Sequence, residues 1–395
     1  MIRETLDIEQ PDALIAYLRD NGHIGADEQP IIRNLAGGVS NRTVWVDRPT
    51  GEAWVLKQAL TKLRVSVDWF SSPERVHHEA LGLRWLAQLA PPGTITPLVF
   101  EDHTQHLLAM QAVPQPHANW KTLLLAGQLE EDHIVQFGRL LGTIQRQAFE
   151  RRDEVAPVFE DRSFFESLRL EPYYSYTASQ VPAAADFLHA LIAETRACRL
   201  TLAHGDYSPK NVLIYQGRLI LLDHEVIHFG DPAFDLGFSL THLLSKAHYL
   251  HPQRHAFTEA AKQYWQVYMQ TIGDTFSASP VRGRLGGTDR GEPHPPTPSP
   301  TRGGGESPFS NTGRGPEGVG DENLSAPEPS QRVSDLEPRA VHHTLACLLA
   351  RVAGRSPLEY LDNTARLRQR EAVLALLSNP PTNISDLVNQ FMAKL

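Results

Sequence analysis

The chain has 395 residues and a formal net charge of −9, with 41% hydrophobic and 21% charged residues. These values are typical of a soluble globular protein, and the length allows two lobes with separate cores. The negative charge is spread along the sequence, which disfavours a nucleic-acid-binding protein and leaves room for cationic or neutral small ligands. The N-terminus lacks a signal-peptide pattern, and no apolar run is long enough to span a bilayer. We therefore expect a cytoplasmic protein without membrane partners.

The first part of the chain is predicted to form a small antiparallel β lobe. Residues 11–21 begin with proline and stop before a glycine, as a short helix does. Three strand-like runs follow, IIRNLAG, RTVWVD and EAWVLKQAL, separated by glycine-containing turns. Residues 73–90 have helical periodicity, and two further short strands lie around TPLVFED and HLLAMQAV. We assign residues 1–112 to this N-terminal lobe.

The rest of the chain is predicted to be mainly helical. Helices are expected at 129–149, 160–171, 183–197, 233–250 and 255–272. Between them, the β runs NVLIY and RLILLD flank Gln216-Gly217, a hairpin turn signal. The two cysteines, Cys198 and Cys347, lie in apolar helical surroundings and are predicted to be buried thiols. The predicted fold class is α+β, with a larger helical lobe over residues 113–278 that resumes with closing helices at 333–395.

Residues 279–332 interrupt the helical pattern. Of these 54 residues, 21 are Gly or Pro, a composition that cannot support a hydrophobic core. We predict a disordered surface insertion here.

The densest group of polar residues is the stretch LAHGDYSPKNVLIYQGRLILLDHE, residues 202–225. Asp206 and Asn211 are on a loop that leads into a strand, and Asp223 and Glu225 follow the next strand. A hairpin of this length brings Asn211 and Asp223 together, and their oxygens suit a hard cation such as Mg²⁺. Asp206 would lie beside the metal, where it could accept a proton from a hydroxyl group.

The motifs HGDYSPKN, LLDHE and GDPAFDLG resemble the superfamily of aminoglycoside phosphotransferases, choline kinases and methylthioribose kinases. This resemblance implies a protein-kinase-like two-lobed fold and ATP-dependent phosphoryl transfer to a small-molecule hydroxyl group. It implies that Asp206 is the catalytic base, that Asn211 and Asp223 bind Mg²⁺, and that Glu225 is an acidic residue that binds metal or substrate. Asp235 matches a buried aspartate that braces the catalytic loop.

The same resemblance identifies candidate nucleotide-binding residues in the N-terminal lobe. Its glycine loop, Gly-Gly-x-Ser-Asn, is matched by Gly37, Gly38, Ser40 and Asn41. Lys57 matches the lysine that contacts the α- and β-phosphates, and Glu79 matches its ion-pair partner. Arg75 fits an Arg-x-x-x-Glu pattern without an assigned role. The backbone of Met110, Gln111 and Ala112 is predicted to meet adenine at the hinge between the lobes.

Two other functions compete with a small-molecule kinase. One is a catalytically silent relative that binds a nucleotide or metabolite, although Asp206, Asn211, Asp223 and Lys57 are all present. The other is a zinc peptidase, because residues 224–228 match H-E-x-x-H. That motif needs a helix, whereas a predicted strand precedes it and Phe-Gly-Asp-Pro follows it. The acceptor and the oligomeric state stay open, with methylthioribose, choline or ethanolamine, a sugar, an amino acid and an aminoglycoside all as candidate acceptors.

Overall fold

The computed structural model describes residues 6–35, 40–64, 70–277 and 336–395. They form the predicted α+β, protein-kinase-like fold, with a small antiparallel β lobe and a larger helical lobe. The predicted insertion at 279–332 lies outside the described residues. Within the described ranges, no helix combines the length and the apolar character needed to cross a bilayer.

The N-terminal lobe is built on one five-stranded antiparallel sheet. Its strands are β1 (Ile31–Asn34), β2 (Asn41–Asp47), β3 (Ala53–Ala59), β4 (Leu98–Asp102) and β5 (Leu107–Gln111). Their order in the sheet is β1-β2-β3-β5-β4. Side chains alternate between the two faces of each strand, so the sheet can bury both faces.

Each face of this sheet is covered by one helix. Helix α1 (Pro11–Asp20) buries Leu14 and Leu18 against the outer face. Helix α2 (Arg75–Leu89) packs Val76, Ala80 and Leu83 against Leu108 and Met110 on the inner face. The inner face also carries Lys57, because this residue alternates with the buried Leu56 and Gln58 along β3.

The C-terminal lobe combines short β hairpins with long helices. The strands are β6 (Ala118–Asn119), β7 (Thr201–Ala203), β8 (Val212–Tyr215), β9 (Arg218–Leu221) and β10 (His228–Gly230). Strands β8 and β9 form the predicted hairpin, and β10 pairs with β7. Both turn residues of the hairpin, Gln216 and Gly217, have positive φ, 50° and 73°. Two consecutive positive φ values are characteristic of the tight type I′ turn.

The helices of the C-terminal lobe lie close to their predicted positions. They are α3 (Trp120–Leu125), α4 (Glu131–Glu150), α5 (Arg152–Val158), α6 (Ser163–Phe165), a π-helix (Glu166–Ser175), α7 (Tyr176–Gln180), α8 (Ala185–Ala197), α9 (Pro232–Tyr249), α10 (Arg254–Ile272), α11 (Leu336–Ala353), α12 (Asn363–Leu377) and α13 (Ile384–Ala393). The helix predicted at 160–171 differs most, because it begins at Ser163 and continues as a π-helix to Ser175. Cys198 and Cys347 are buried and form no disulfide bond within the described residues, in agreement with the prediction of buried thiols.

Helix α9 lies at the centre of this lobe, and every residue from Pro232 to His248 is buried. Helix α11 crosses it so closely that a side chain at Gly237 would collide with His343. The glycine of the FDLG sequence is therefore explained by helix packing. A second link is the buried ion pair of Arg339 on α11 with Asp231, the N-cap of α9, at 3.1 Å.

Candidate active site

The backbone at the start of the loop between β7 and β8 is held by a buried carboxylate. Asp235 on α9 accepts the backbone N–H of His204 at 2.7 Å and that of Gly205 at 2.8 Å. Burial raises the pKa of Asp235 to about 7, against the effect of these donors. Gly205 has φ +75°, and a side chain there would lie 2.8 Å from the Val226 carbonyl. The loop that carries Asp206 therefore needs both Asp235 and a glycine.

Asp206 is buried, and its two carboxylate oxygens have different surroundings. Its Oδ2 lies 2.8 Å from Arg169, 2.9 Å from Lys210 and 2.7 Å from Asn211. Its Oδ1 has no hydrogen-bond partner among the described residues. Although burial opposes ionisation, Arg169 and Lys210 hold the pKa of Asp206 below its usual value. The result is an ionised carboxylate with one oxygen free to accept a proton.

Arg169 was not identified from the sequence. It lies in the π-helix, buried, and also donates from Nε to the Gly205 carbonyl at 2.9 Å. The structure shows that this guanidinium reaches Asp206 from a segment distant in the chain.

Asn211 and Asp223 converge as predicted from the hairpin. The Leu222 N–H donates to the Asn211 carbonyl at 2.9 Å, which ties the two ends of the hairpin together. Asn211 uses its Nδ2 on Asp206, so its Oδ1 is the atom that could bind a metal. Asp223 has φ +68°, a conformation that Asn and Asp tolerate better than most residues. An amide oxygen beside a carboxylate is a donor set that fits Mg²⁺.

Lys57 pairs with two carboxylates, one in each lobe. Its Nζ lies 2.6 Å from Oε1 of Glu79 on α2 and 3.0 Å from Oδ1 of Asp223. Although burial opposes the charged form, Asp223 and Glu79 raise the pKa of Lys57. Burial raises the pKa of Glu79 to about 7, and Lys57 opposes this shift. The structure thus brings together the lysine, its predicted partner and the predicted metal ligand.

Arg75, to which the sequence assigned no role, is fully buried and contacts the backbone of Ser40. Its Nε lies 3.3 Å from Oε2 of Glu225, and its guanidinium donates to the carbonyls of Ser40 and Leu60. Asn41 Nδ2 lies 3.5 Å from the same Glu225 oxygen. Glu225 therefore has one oxygen engaged by the N-terminal lobe, and Arg75 connects it to the end of the glycine loop. Gly37 and Gly38 lie outside the described residues.

Two of the backbone N–H groups predicted at the hinge are already hydrogen-bonded within the N-terminal lobe. The N–H groups of Gln111 and Ala112 donate to the carbonyls of Pro97 and Ala53, both at 2.9 Å. These two donors are used within the sheet and cannot also bind adenine. The next residue with an N–H is Val113, since Pro114 has none. The sequence could not show this, because the last ladder bond of β5 depends on tertiary register.

The H-E-x-x-H pattern does not form a zinc site. Residues 222–227 form no helix, and His228 begins strand β10. His228 is buried, stacks on Phe165 with 3.9 Å between ring centroids, and bonds the Val226 carbonyl through Nδ1 at 3.0 Å. His224 Nδ1 lies 3.1 Å from His204 Nε2. The two histidines pack in different environments, so the zinc-peptidase hypothesis is wrong.

One cavity of about 680 Å³ contains most of the predicted residues. Those that line it are Ser40, Asn41, Lys57, Asp206, Asn211, Asp223 and Glu225. Glu79 lies behind Lys57, whereas Gln111 and Ala112 line a separate pocket of about 250 Å³. The cavity brings the predicted base, the predicted metal ligands and the lysine predicted to bind phosphate into a single site.

Comparisons with known proteins agree with this geometry. Methylthioribose kinases of Pectobacterium atrosepticum and Pectobacterium carotovorum subsp. carotovorum are 25% and 24% identical to the chain, over 59% and 58% of its length. The chain spans 64% of the length of these two relatives. The structure of amicoumacin kinase hAmiN in complex with AMP-PNP and Ca²⁺ is similar with a TM-score of 0.53 and 13% identity, over 95% of this chain and 96% of that chain. This similarity supports the kinase-like fold.

A family model settles the classification. The model of the phosphotransferase enzyme family, APH, matches residues 31–271, which include both the lysine–glutamate pair and the catalytic loop. This match covers more than half of the sequence. The chain therefore belongs to the APH phosphotransferase enzyme family.

Proposed function

We propose that this protein is a kinase that transfers the γ-phosphoryl group of ATP to a hydroxyl group of a small molecule. The observation that carries the proposal is the free Oδ1 of Asp206, a buried acceptor in the cavity that also holds Lys57 and Asp223. A carboxylate with its other oxygen neutralised and one oxygen available is suited to orient a hydroxyl group and take its proton.

The remaining residues of the cavity would bind the phosphates of ATP and the metal ion. Lys57, anchored by Glu79, would contact the α- and β-phosphates of ATP, and Ser40 and Asn41 would lie over the phosphates with the glycine loop. Asn211 and Asp223 would hold Mg²⁺, which neutralises the charge of the phosphates when bound. Val113 is the backbone donor available for adenine. Catalysis would then consist mainly of positioning and electrostatic stabilisation.

Glu225 was predicted to bind metal or substrate, and its contacts suggest a narrower role. With one oxygen paired to Arg75, it is better placed to position the glycine loop than to act as a full metal ligand. A raised Mg²⁺ requirement in Glu225→Gln would instead indicate direct metal binding.

The test is ADP release in the presence of Mg²⁺·ATP and a panel of hydroxyl acceptors. Methylthioribose belongs in the panel because both curated relatives carry that name. We expect Asp206→Asn to lower kcat by about 10²–10⁴-fold and to leave nucleotide binding intact. The control is Asp274→Asn, at an exposed residue. Full activity of Asp206→Asn would refute the base assignment, and nucleotide binding without turnover on any acceptor would favour the catalytically silent alternative.

A further inference from the structure

The cavity has two ends that differ in charge. At the nucleotide end, Lys57 faces the carboxylates of Asp223 and Glu225. The opposite end, which we call the acceptor end, is formed by the π-helix, α3 and the loop that follows α11. Its charged lining consists of Arg169, Lys121, Lys210 and Glu359, around Asp206.

The positive charge around Asp206 exceeds what this carboxylate can neutralise. Arg169 and Lys210 both contact the same oxygen, Oδ2, at 2.8 and 2.9 Å. Among the groups in direct contact this leaves an excess of about one positive charge, and the more distant carboxylate of Asp223 also acts on both cations. Arg169 is buried, so solvent screens this charge only weakly.

Lys121 and Glu359 form an ion pair at the rim of the acceptor end. The side chain of Lys121 is 27% exposed and that of Glu359 is 61% exposed. The two charges of the pair cancel. The carboxylate of Glu359 is more exposed to solvent than the side chain of Lys121. An incoming anion could therefore displace Glu359 from Lys121 at little cost, since exposed pairs are weak.

A further cation, the guanidinium of Arg351, lies directly behind the residues that line the acceptor end. Arg351 on α11 is buried and donates to the hydroxyls of Tyr173 at 3.2 Å and Ser356 at 2.8 Å. Tyr173 and Ser356 both line the cavity. In the part of the chain that the structure describes, Arg351 has no carboxylate within ion-pair distance and its Nε has no hydrogen-bond partner. Its guanidinium is therefore held by hydroxyl and carbonyl groups, with the more distant Glu359 as the carboxylate that feels its charge.

The nearby Lys246 responds to the same field. It is fully buried on α9, and burial followed by the charges of Lys121 and Arg351 lowers its pKa to about 7. Burial is the largest cause of this shift, and the two positive charges add to it.

We propose that the acceptor is a small hydroxylated acid, with an anionic group, a carboxylate or a phosphate, that binds at Lys121 and in the field of Arg351 while its hydroxyl group meets Asp206. This inference rests on the proposed kinase function and adds the chemical class of the acceptor. The negative total charge of the chain alone favoured cationic or neutral ligands, but the local charges have the opposite sign. A polycationic acceptor would be repelled by the three cations that line the acceptor end, Arg169, Lys210 and Lys121.

The experiment compares acceptors of similar size and shape that carry different charges. Glucuronate, glucose and glucosamine, which are all pyranoses, form one set, and a hydroxy acid, its primary amide and the corresponding amino alcohol form another. A phosphorylated polyol and its parent polyol distinguish a phosphate from a carboxylate as the anionic group. We expect the anionic member of at least one set to have a kcat/KM at least about tenfold above its neutral partner. Preference for the amine would overturn the inference and leave the kinase proposal standing.

Two substitutions at the rim test whether the acceptor carries a negative or a positive charge. Lys121→Gln should raise the KM of the anionic acceptor about tenfold, whereas Glu359→Gln should lower it or leave it unchanged. A cationic acceptor would reverse both effects. The charge-matched control is Lys262→Gln, which removes a lysine from a surface pair with Glu259 outside the cavity. It should change neither the KM of ATP nor that of the acceptor.

A binding measurement separates failure of the inference from failure of the proposed function. With a non-hydrolysable ATP analogue and Mg²⁺ present, the anionic acceptor should raise Tm more than its neutral partner, and Lys121→Gln should abolish the difference. This result without turnover would support the anion site and refute the kinase function. If the charged and neutral acceptors raise Tm equally or not at all, and neutral acceptors are turned over, the anion site is refuted.

Discussion

Arg169 contacts Asp206 with 2.8 Å between Nη2 and Oδ2, although 36 residues separate them in the chain and they belong to different elements. The same guanidinium donates to the carbonyl of Gly205. One side chain therefore stabilises the negative charge of Asp206 and also holds the backbone of the loop that carries it. Lys210 shares the carboxylate oxygen but is half exposed, which makes it the weaker of the two partners.

The first prediction concerns this contact. Arg169→Gln should lower kcat by about 10–100-fold with little change in the KM of ATP, because Asp206 loses its orientation and its pKa rises. Removing one partner of a buried ion pair also costs about 3 kcal/mol of stability. Steady-state kinetics and urea denaturation measure the two effects. Lys210→Gln is the matched comparison and should have the smaller effect on stability; equal losses would contradict the dominant role of Arg169.

The second prediction uses the backbone of Asp223. At φ +68° an Asn is tolerated, so Asp223→Asn should fold normally and lose at least about 100-fold in Mg²⁺-dependent transfer. Asp223→Ala should lose as much activity and in addition about 1 kcal/mol of stability, because alanine is strained in this conformation. Thermal denaturation of the two variants separates backbone strain from charge. Equal Tm values would argue against the left-handed conformation.

The third prediction concerns stability in acid. Burial lowers the pKa of His228 to about 3, whereas the unfolded side chain has a pKa of about 6.5. Between these values the unfolded chain binds the extra proton, so stability falls as the pH is lowered. The slope is about 1.4 kcal/mol per pH unit.

His228→Phe should remove this contribution, because Phe can keep the stacking on Phe165 but has no proton to bind. Below pH 6.5, the free energy of unfolding of the unmodified protein should fall by about 1.4 kcal/mol per pH unit more than that of His228→Phe. Measurements above pH 6.5, where the histidine is neutral in both states, report the packing change alone. Parallel curves down to pH 4 would show that His228 is not buried in a neutral form.

The fourth prediction concerns the segment after residue 335. Arg339→Met should destabilise the protein by about 3–5 kcal/mol, because it leaves the fully buried Asp231 without its guanidinium partner. The double variant with Asp231→Asn should lose less than the sum of the two single changes. Arg368→Met, at an exposed position of α12, serves as the control and should stay within about 0.5 kcal/mol. A small effect of Arg339→Met would mean that α11 contributes little to the lobe.

Several features of the fold and site could be predicted from local patterns. The β8–β9 hairpin was identifiable because Gln-Gly between two apolar runs demands a tight turn. The convergence of Asn211 with Asp223 followed from the length of that hairpin. Lys57 and Glu79 were found only through the resemblance of their surroundings to kinases. The π-helix was missed, since no periodicity distinguishes it from an α-helix.

Local patterns in the sequence were enough to predict the elements that depend on neighbouring residues: the antiparallel lobe, the helical lobe, the hairpin and the order of the candidate catalytic residues. Which charged groups meet depends on the tertiary fold. Arg169 reaches Asp206, Arg75 reaches Glu225, and the N–H groups of Gln111 and Ala112 are used within the sheet. Electrostatic energy and hydrogen bonding depend on distances of a few ångströms between segments far apart in the chain, and no local pattern encodes those distances.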